Sequence, residues 1–529
     1  TDVALMLALA HTLETEGLAD EQFLNRYCAG YEKFRPYLLG TDDGIAKDAD
    51  WAAPICDIDA DTIRQLARRM ASKRTFINTN WSLQRGEYGE QPFWMTVTLA
   101  AMLGGIGLPG RGFGFGYGSM GNTGNPRRPA PTPSLSTGDN PCTEWIPVAR
   151  ISDMLLNPGS EYEFDGETRT YPDIRLVYWC GGNPFHHHQD LNRLVRAWQK
   201  PETIIVNEPW WTATAKFSDI VLPSTTTLER NDIGATSKDR FIMAMDQTID
   251  PVGEARNDFD IFGGLARRAG TEASFTEGRD EAEWLRHLYD RTRQQAAEQD
   301  LTLPSFDDFW QAGHVETPRA EKPIVMMESF RADPAAAPLT SPSGKIQIFS
   351  DVVDGFGYDD CPGHAVWREP TEWLGAETAK SYPLHMISNQ PRTRLHGQLD
   401  NGRVSRDSKI QHREPVWIHP VDAAARKLTD GDIVRVFNTR GATLAGVTIT
   451  EEVRPGVIQL ATGAWYDPVE PGAENSLDKH GNPNVLTRDA GTSRLGQGPS
   501  AHSALVEVER FDDELPPVTA HKPPPTASR

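Results

Sequence analysis

The chain has 529 residues, 38% hydrophobic and 24% charged, a globular composition with enough length for about three domains. Its formal net charge of −21 repels polyphosphate at long range, so nucleic acid is not an expected partner. No apolar run reaches the roughly 18–20 residues of a membrane span, because Gly104, Gly105 and Gly107 break the best stretch, 94–108.

The chain opens inside a helical pattern, DVALMLALAHTL, so its natural start is expected upstream of Thr1. That leaves the compartment open between cytoplasm and periplasm. Asp59 and Thr62 precede IRQLARRMA and predict a capped helix. A buried strand is predicted over 75–79, then a polar loop, NWSLQRGEYGEQ, and a helix, WMTVTLAAML. The loop GGIGLPGRGFGFGYGSMGNTGNP follows. Its glycines alternate with aromatic residues, which suits an irregular loop with close backbone approach, with or without a ligand.

From Asp173 the grammar is strand, loop, helix. IRLVYWC, TIIVNE and SDIVLPSTTTLERND read as continuous apolar strands, with LNRLVRAWQK as a helix between the first two. This pattern predicts a parallel sheet covered on both faces. Ligands bind outside the carboxyl ends of such strands, where GGNP, NEPWW and LPSTTT all fall. The charged stretch 272–345 contains DEAEWLRHLYDRTRQQAAEQ, read as an amphipathic helix with a solvated face. Beyond 338–380 come short strands, LHMISN, DIVRVFNTRG, ATLAGVTIT and GVIQLAT, with one helix led by Pro420. This pattern predicts an α/β fold class: a parallel-sheet α/β/α body plus a small C-terminal β-barrel-like domain. The boundaries are 1–150, 151–375 and 376–510, with a Pro-rich tail, 511–529, expected to be disordered.

The five cysteines, Cys28, Cys56, Cys142, Cys180 and Cys361, are widely spaced without CxxC and read as free thiols. His186, His187 and His188 invite a metal reading. Consecutive side chains fan out by about 100° on a helix and alternate on a strand, so three neighbours converge poorly on one ion. Donors and packing at a loop-to-helix start, near an anion such as pyrophosphate, or a plain polar cap, fit them better.

Taken together, GGNPFHHHQDLNRL, TIIVNEPWWTATAKFSDIVLPSTTTLERNDI, NWSLQRGEYGEQ, EARNDFDIF, RTRLHGQLDNG and GNPNVLTRDAGTSRLGQGPS resemble the molybdopterin oxidoreductases of the dimethyl sulfoxide reductase type, over almost the whole chain. The likeness leans to the biotin sulfoxide, trimethylamine N-oxide and dimethyl sulfoxide reductase branch. It implies parallel-sheet α/β/α dinucleotide-binding domains plus a C-terminal six-stranded β-barrel-like domain, with bis-molybdopterin guanine dinucleotide and molybdenum as cofactors, held through the cofactor's own dithiolenes rather than by a protein metal cluster. By motif, Trp81, Ser82 and Arg85 would line one pterin and the funnel, and Gly182, Asn183 and His187 would contact pterin or phosphate. Asn207, Arg230 and Asp258 would serve a guanosine end, and Gln390, Arg394, His396, Asn484 and Gln497 would close over the pterins. Carboxylate, guanidinium, amide and imidazole suit guanine, phosphate and pterin edges respectively.

The implied reaction removes oxygen from an S-oxide or N-oxide by transfer to Mo(IV). Its electron donor would be of cytochrome or flavoprotein/thioredoxin type. In that branch a serine ligates molybdenum, yet Ser82, Ser119 and Ser224 all stand outside its context, so the ligand is expected upstream of Thr1. Two other readings stay open: another superfamily member, such as a formate dehydrogenase or nitrate reductase, or a non-catalytic fragment or scaffold.

Overall fold

A computed structural model describes residues 1–116, 130–236 and 239–525. Part of the glycine-rich loop, Ser119 included, and residues 526–529 of the tail lie outside the described residues. The opening helix, Asp2–Thr15, buries Val3, Met6, Leu7, Ala10 and Leu13 in a core shared with helices Ala60–Ser72 and Gln91–Met102. Asp59 caps the second of these, accepting from Thr62 N at 3.0 Å, a contact that typically stabilises by about 1 kcal/mol. Strands β1 (Phe76–Thr79) and β2 (Gly112–Phe115) pair in parallel, and residues 80–85 leave the end of β1.

The three apolar strands become β3 (Leu176–Cys180), β4 (Thr203–Asn207) and β5 (Ile220–Leu222), a parallel sheet in the order β3-β4-β5. Asn207 lies opposite Cys180 on one side and Leu222 on the other, so the three following loops leave one edge at one level. Coverage is less complete than the apolar runs suggest. β4 is central and buries Ile204 and Val206, whereas the flanking β3 and β5 leave Leu176 and Ile220 about half exposed. Helix Leu191–Trp198 packs Leu194, Val195 and Trp198 into the core on one side, and Phe262 of helix Asp258–Ala269 meets Tyr178 of β3.

The charged helix, Glu281–Ala297, is not merely a solvated face. It starts at a capping box formed by Asp280 and Glu283, and its buried Tyr289 stacks on Phe309 with ring centroids 4.3 Å apart, closing a small separate core.

The barrel is closed by β6 (Leu384–Ile387), β7 (Pro415–Ile418), β8 (Ile433–Phe437), β9 (Ala442–Ile449), β10 (Val457–Leu460) and β11 (Leu505–Arg510). Around the barrel the order is β6-β10-β7-β9-β8-β11, with β6/β10 and β7/β9 parallel and the other pairs antiparallel. The barrel's inward Val416, Ile418, Val434, Val436, Val447 and Ile458 share one core with Phe185, Leu194 and Trp198 of the sheet unit. The tail expectation changes as well. Ala520 is 1% exposed, Lys216 Nζ donates to the carbonyls of Thr519 and Ala520, and Arg413 donates to that of Pro516. Proline-rich composition shows that a segment builds no core of its own; it does not show that nothing binds it.

Candidate functional site

A cavity of about 1320 Å³ opens between the helical unit, the β3 loop and the barrel. It exceeds the roughly 300–1,000 Å³ of ordinary small-molecule sites, so it suits a large ligand. Seven of the sequence-predicted residues line it: Trp81, Ser82, Arg85, His187, Gln390, His396 and Asn484. Trp81, Ser82 and Arg85 sit on one short 3-10 turn, Trp81–Arg85, whose start Asn80 caps. Trp81 also packs so closely on Gly116 that a Cβ there would collide with its ring.

The three histidines turn to different neighbours. His186 faces the cavity and stacks on Trp465, His187 meets the edge of His396 at 4.9 Å, and His188 turns toward buried Asp489. The helix they occupy, Pro184–His187, is a single turn capped by Asn183, whose Oδ1 accepts from Phe185 N and Thr214 Oγ1. Asn484 Nδ2 holds the His186 carbonyl at 2.7 Å, which ties the barrel side to the histidine turn. His396 has a left-handed backbone, φ +52, fixed by Gln390, which accepts from its amide and meets its Nδ1 at 2.7 Å.

Burial dominates the electrostatics. It pushes the imidazoles down, His186 to about 3 with help from His187, and His187 to about 4 with help from His396 and Arg85. His502, whose amide donates to the Arg85 carbonyl, is pushed to about 4 by burial and then by Arg85. Burial likewise lowers His385, His396 and Arg85. The wall thus presents neutral imidazoles beside the Arg85 guanidinium, and Arg368 and Arg454 line the same cavity. Trp81 Nε1, His186 Nε2, Arg368 Nε and Asn389 Oδ1, all on lining residues, are buried without a partner among the described residues. Unmet donors and acceptors of both kinds fit a fused polar heterocycle, which carries the complementary set.

The other predicted residues lie off this wall. Asn207 donates to Asp258 at 2.8 Å and accepts from Tyr178, at the carboxyl edge of β4. Arg230 donates to the Thr225 carbonyl, and the Thr225 hydroxyl reaches Asn257, next to Asp258, so these three form one strand-end cluster. Gly182, φ +69, has open space where a Cβ would stand, and buried Asn183 Nδ2 has no partner among the described residues. Two expectations change. The Arg394 side chain is fully buried and spends its guanidinium on Ser405, Glu414 and the carbonyls of His396 and Thr462, so it braces the wall from behind. Gln497 donates to the Glu163 carbonyl of the hairpin over 161–170. Sequence reading missed His385, His502 and Arg368, which come from distant segments and carry no local motif. It named His186 among the three loop donors but gave it no pterin contact, and its close packing on Gly397 only the fold creates. Ser82 lies on the wall, and Ser224 is buried at the β5 loop, bridged to Arg256.

Asp400, His480 and His521 bring metal-ligand-type atoms within 4.8 Å of one another. Asp400 is already engaged by Lys409 Nζ, Ser405 Oγ, Trp465 N and His521 Nε2, and His480 Nδ1 directs its proton to the Trp465 carbonyl. With Lys409 and Arg394 both present, added positive charge is opposed; Asp400 and His521 form a hydrogen-bonded latch, and His480 packs against His521.

Gly463 backs the wall at φ +94, and a Cβ there would run into the His396 carbonyl. Gly463→Ala combines backbone strain with that clash. It is expected to lower stability by about 1–3 kcal/mol, read as a lower thermal midpoint; an unchanged midpoint would show that the loop moves freely.

A two-unit α/β body, a strand-end polar cluster and a large polar cavity closed by a barrel define a protein built to hold an extended dinucleotide-type cofactor. The molybdopterin oxidoreductase family model matches residues 1–268, and the molybdopterin dinucleotide binding domain matches 384–505. The chain belongs to the molybdopterin oxidoreductase family. It is 49% identical over 526 residues to a dimethyl sulfoxide/trimethylamine N-oxide reductase of Cereibacter sphaeroides, covering 97% of this chain and 64% of that one. It is 50% identical over 511 residues to a biotin sulfoxide reductase of the same organism, covering 96% and 68%. A trimethylamine-N-oxide reductase of Haemophilus influenzae is 48% identical over 543 residues, covering 99% and 66%. The chain thus spans roughly two thirds of the length of these relatives. The acetylene hydratase of Pelobacter acetylenicus has the same fold, with a TM-score of 0.68 at 17% identity over 96% of this chain and 70% of that one. No helix among the described residues is long and apolar enough to cross a membrane.

Proposed function

We propose that this chain forms the greater part of a molybdenum-dependent reductase that removes oxygen from an S-oxide or N-oxide. The carrying observation is the cavity wall of neutral imidazoles, the guanidinium groups of Arg85, Arg368 and Arg454, and unmet polar atoms, in a chain about half identical to reductases of such oxides. A bis-molybdopterin guanine dinucleotide would supply the two-electron, oxygen-accepting chemistry when bound. Trp81, His186, His187, Gln390 and His396 would orient the pterin edges, and Arg85 would offset negative charge inside the cavity. Asn207, Asp258 and Arg230 would hold a guanosine end at the strand edge. Neutral histidines add hydrogen-bond capacity without further positive charge, which suits a polar ring beside an existing guanidinium. Electrons would come from a cytochrome or a flavoprotein/thioredoxin-type donor.

The test is metal and nucleotide content after expression in a host that makes the cofactor. About one molybdenum and two guanine nucleotides per chain are expected, and Arg85→Met should lower both several-fold, because it removes the half-buried cation beside His187 and His396. A chain free of molybdenum would sink the reading. A loaded chain that reduces none of dimethyl sulfoxide, trimethylamine N-oxide and biotin sulfoxide would sink its substrate class.

A further inference from the structure

Segment 511–525 returns across the barrel and ends behind the cavity wall. Its grip comes from both units. Lys216, at the end of helix Ala213–Lys216, donates to Thr519 O at 3.1 Å and Ala520 O at 2.7 Å. Asp467, after β10, accepts from Thr519 N and Oγ1 at 2.6 and 2.7 Å, and Arg413, ahead of β7, donates to Pro516 O at 2.6 Å.

The strand of contacts continues inward from His521. Its ring packs at right angles to Trp465 and His480, with centroids 5.1 Å away from each, and its Nε2 donates to Asp400 Oδ2 at 3.0 Å. Asp400 is fully buried and also accepts from Trp465 N at 3.2 Å. Trp465 Nε1 donates to Gly397 O at 2.8 Å, and the same indole stacks on His186. On the other side of Asp400, Arg394 lies 3.4 Å away and donates from Nε to His396 O at 3.2 Å. Both routes end on groups that face the cavity, His186 and the left-handed His396. A left-handed residue persists only where its surroundings over-determine it.

We propose that segment 516–521 is a strap that sets the cavity wall, with His521 as a positioning residue acting through Asp400 and Trp465 on His396, Gly397 and His186. That these groups then meet a molybdopterin rests on the reading above; that the strap positions them does not. Lys216 pins the strap from the sheet unit, so seating the strap couples the relative placement of sheet unit and barrel to the loop that carries His396.

Hydrogen exchange on the purified 529-residue chain tests this. In His521→Leu, amides over 396–411 should exchange about tenfold faster, the loss of one buried charge-assisted hydrogen bond, while those of β9 keep their protection. His521→Gln should restore slow exchange, because its Nε2 can reach Asp400 as the imidazole does. Lys216→Met, which leaves Asp400 untouched, should loosen 396–411 in the same way. Unchanged exchange over 396–411, equal exchange in the Leu and Gln variants, or uniform loosening of β9 in His521→Leu would each overturn the proposal. The readout needs no bound cofactor, so absent molybdenum in the unsubstituted chain would sink the cofactor reading and leave this test intact.

Discussion

Replacing Asp400 with leucine is expected to destabilise the fold by about 3–5 kcal/mol, as removal of one partner from a buried ion cluster does. Asp400 and Arg394 have no exposed side-chain surface, and Lys409 and Glu414 have 2% and 3%. Burial alone would raise the Asp400 carboxyl, yet Lys409, His480, His521 and Arg394 together hold it well below the usual range. Without it, Lys409 and Arg394 share Glu414 alone, and Ser405 Oγ, Trp465 N and His521 Nε2 lose an acceptor. The double variant Asp400→Leu, Lys409→Met should recover part of the loss, since it removes one of the two stranded cations. Urea unfolding reads both. A loss below about 1 kcal/mol for the single variant would mean that water enters the cluster and that it does not brace the wall.

Stability is expected to fall as pH drops from 7 toward 4. The native imidazoles of His186, His187 and His502 titrate near 3, 4 and 4, whereas unfolded histidine titrates near 6.5. Between those values the unfolded chain binds protons that the folded chain refuses. Each such group therefore removes up to about 1.4 kcal/mol of stability per pH unit of acidification in that window. Burial acts in the same direction on His188, His385 and His480. Four carboxyls oppose them: burial raises Asp478 to about 6 and Glu208 to about 7, and it raises Asp190 and Glu281 too, so the folded chain keeps protons there that the unfolded chain sheds. The histidines outnumber them, so the net slope is toward acid lability. The urea midpoint should drop between pH 7 and 5, and His502→Gln should make that drop shallower. A midpoint that holds or rises toward pH 5 would show that the carboxyls win.

How much of the site was legible follows from where its contacts come from. The 3-10 turn with Trp81, Ser82 and Arg85, the GGNP–histidine turn and the Gln390–His396 loop each sit in one continuous string, so reading along the chain found them. Arg394 stands in the same string as His396, and local pattern assigned both to one role. The fold separates them: the left-handed turn at His396 sends its ring to the cavity and leaves the arginine behind it, among buried charges. His385 and His502 belong to the wall only because β6 and β11 are neighbours in the closed barrel.

The amino-acid sequence by itself determined the alternation of helix and strand, the common edge from which the three strand loops leave, and the short strands of the barrel. These are period and turn signals, and each is decided within about ten to fifteen residues. The tertiary structure decided how far the sheet is covered, which histidines face the cavity, and that residues 516–521 of the proline-rich tail are seated rather than loose. Each of these depends on partners hundreds of residues away, as Lys216 meets Ala520, and burial is a property of the assembled neighbours rather than of any residue's own type.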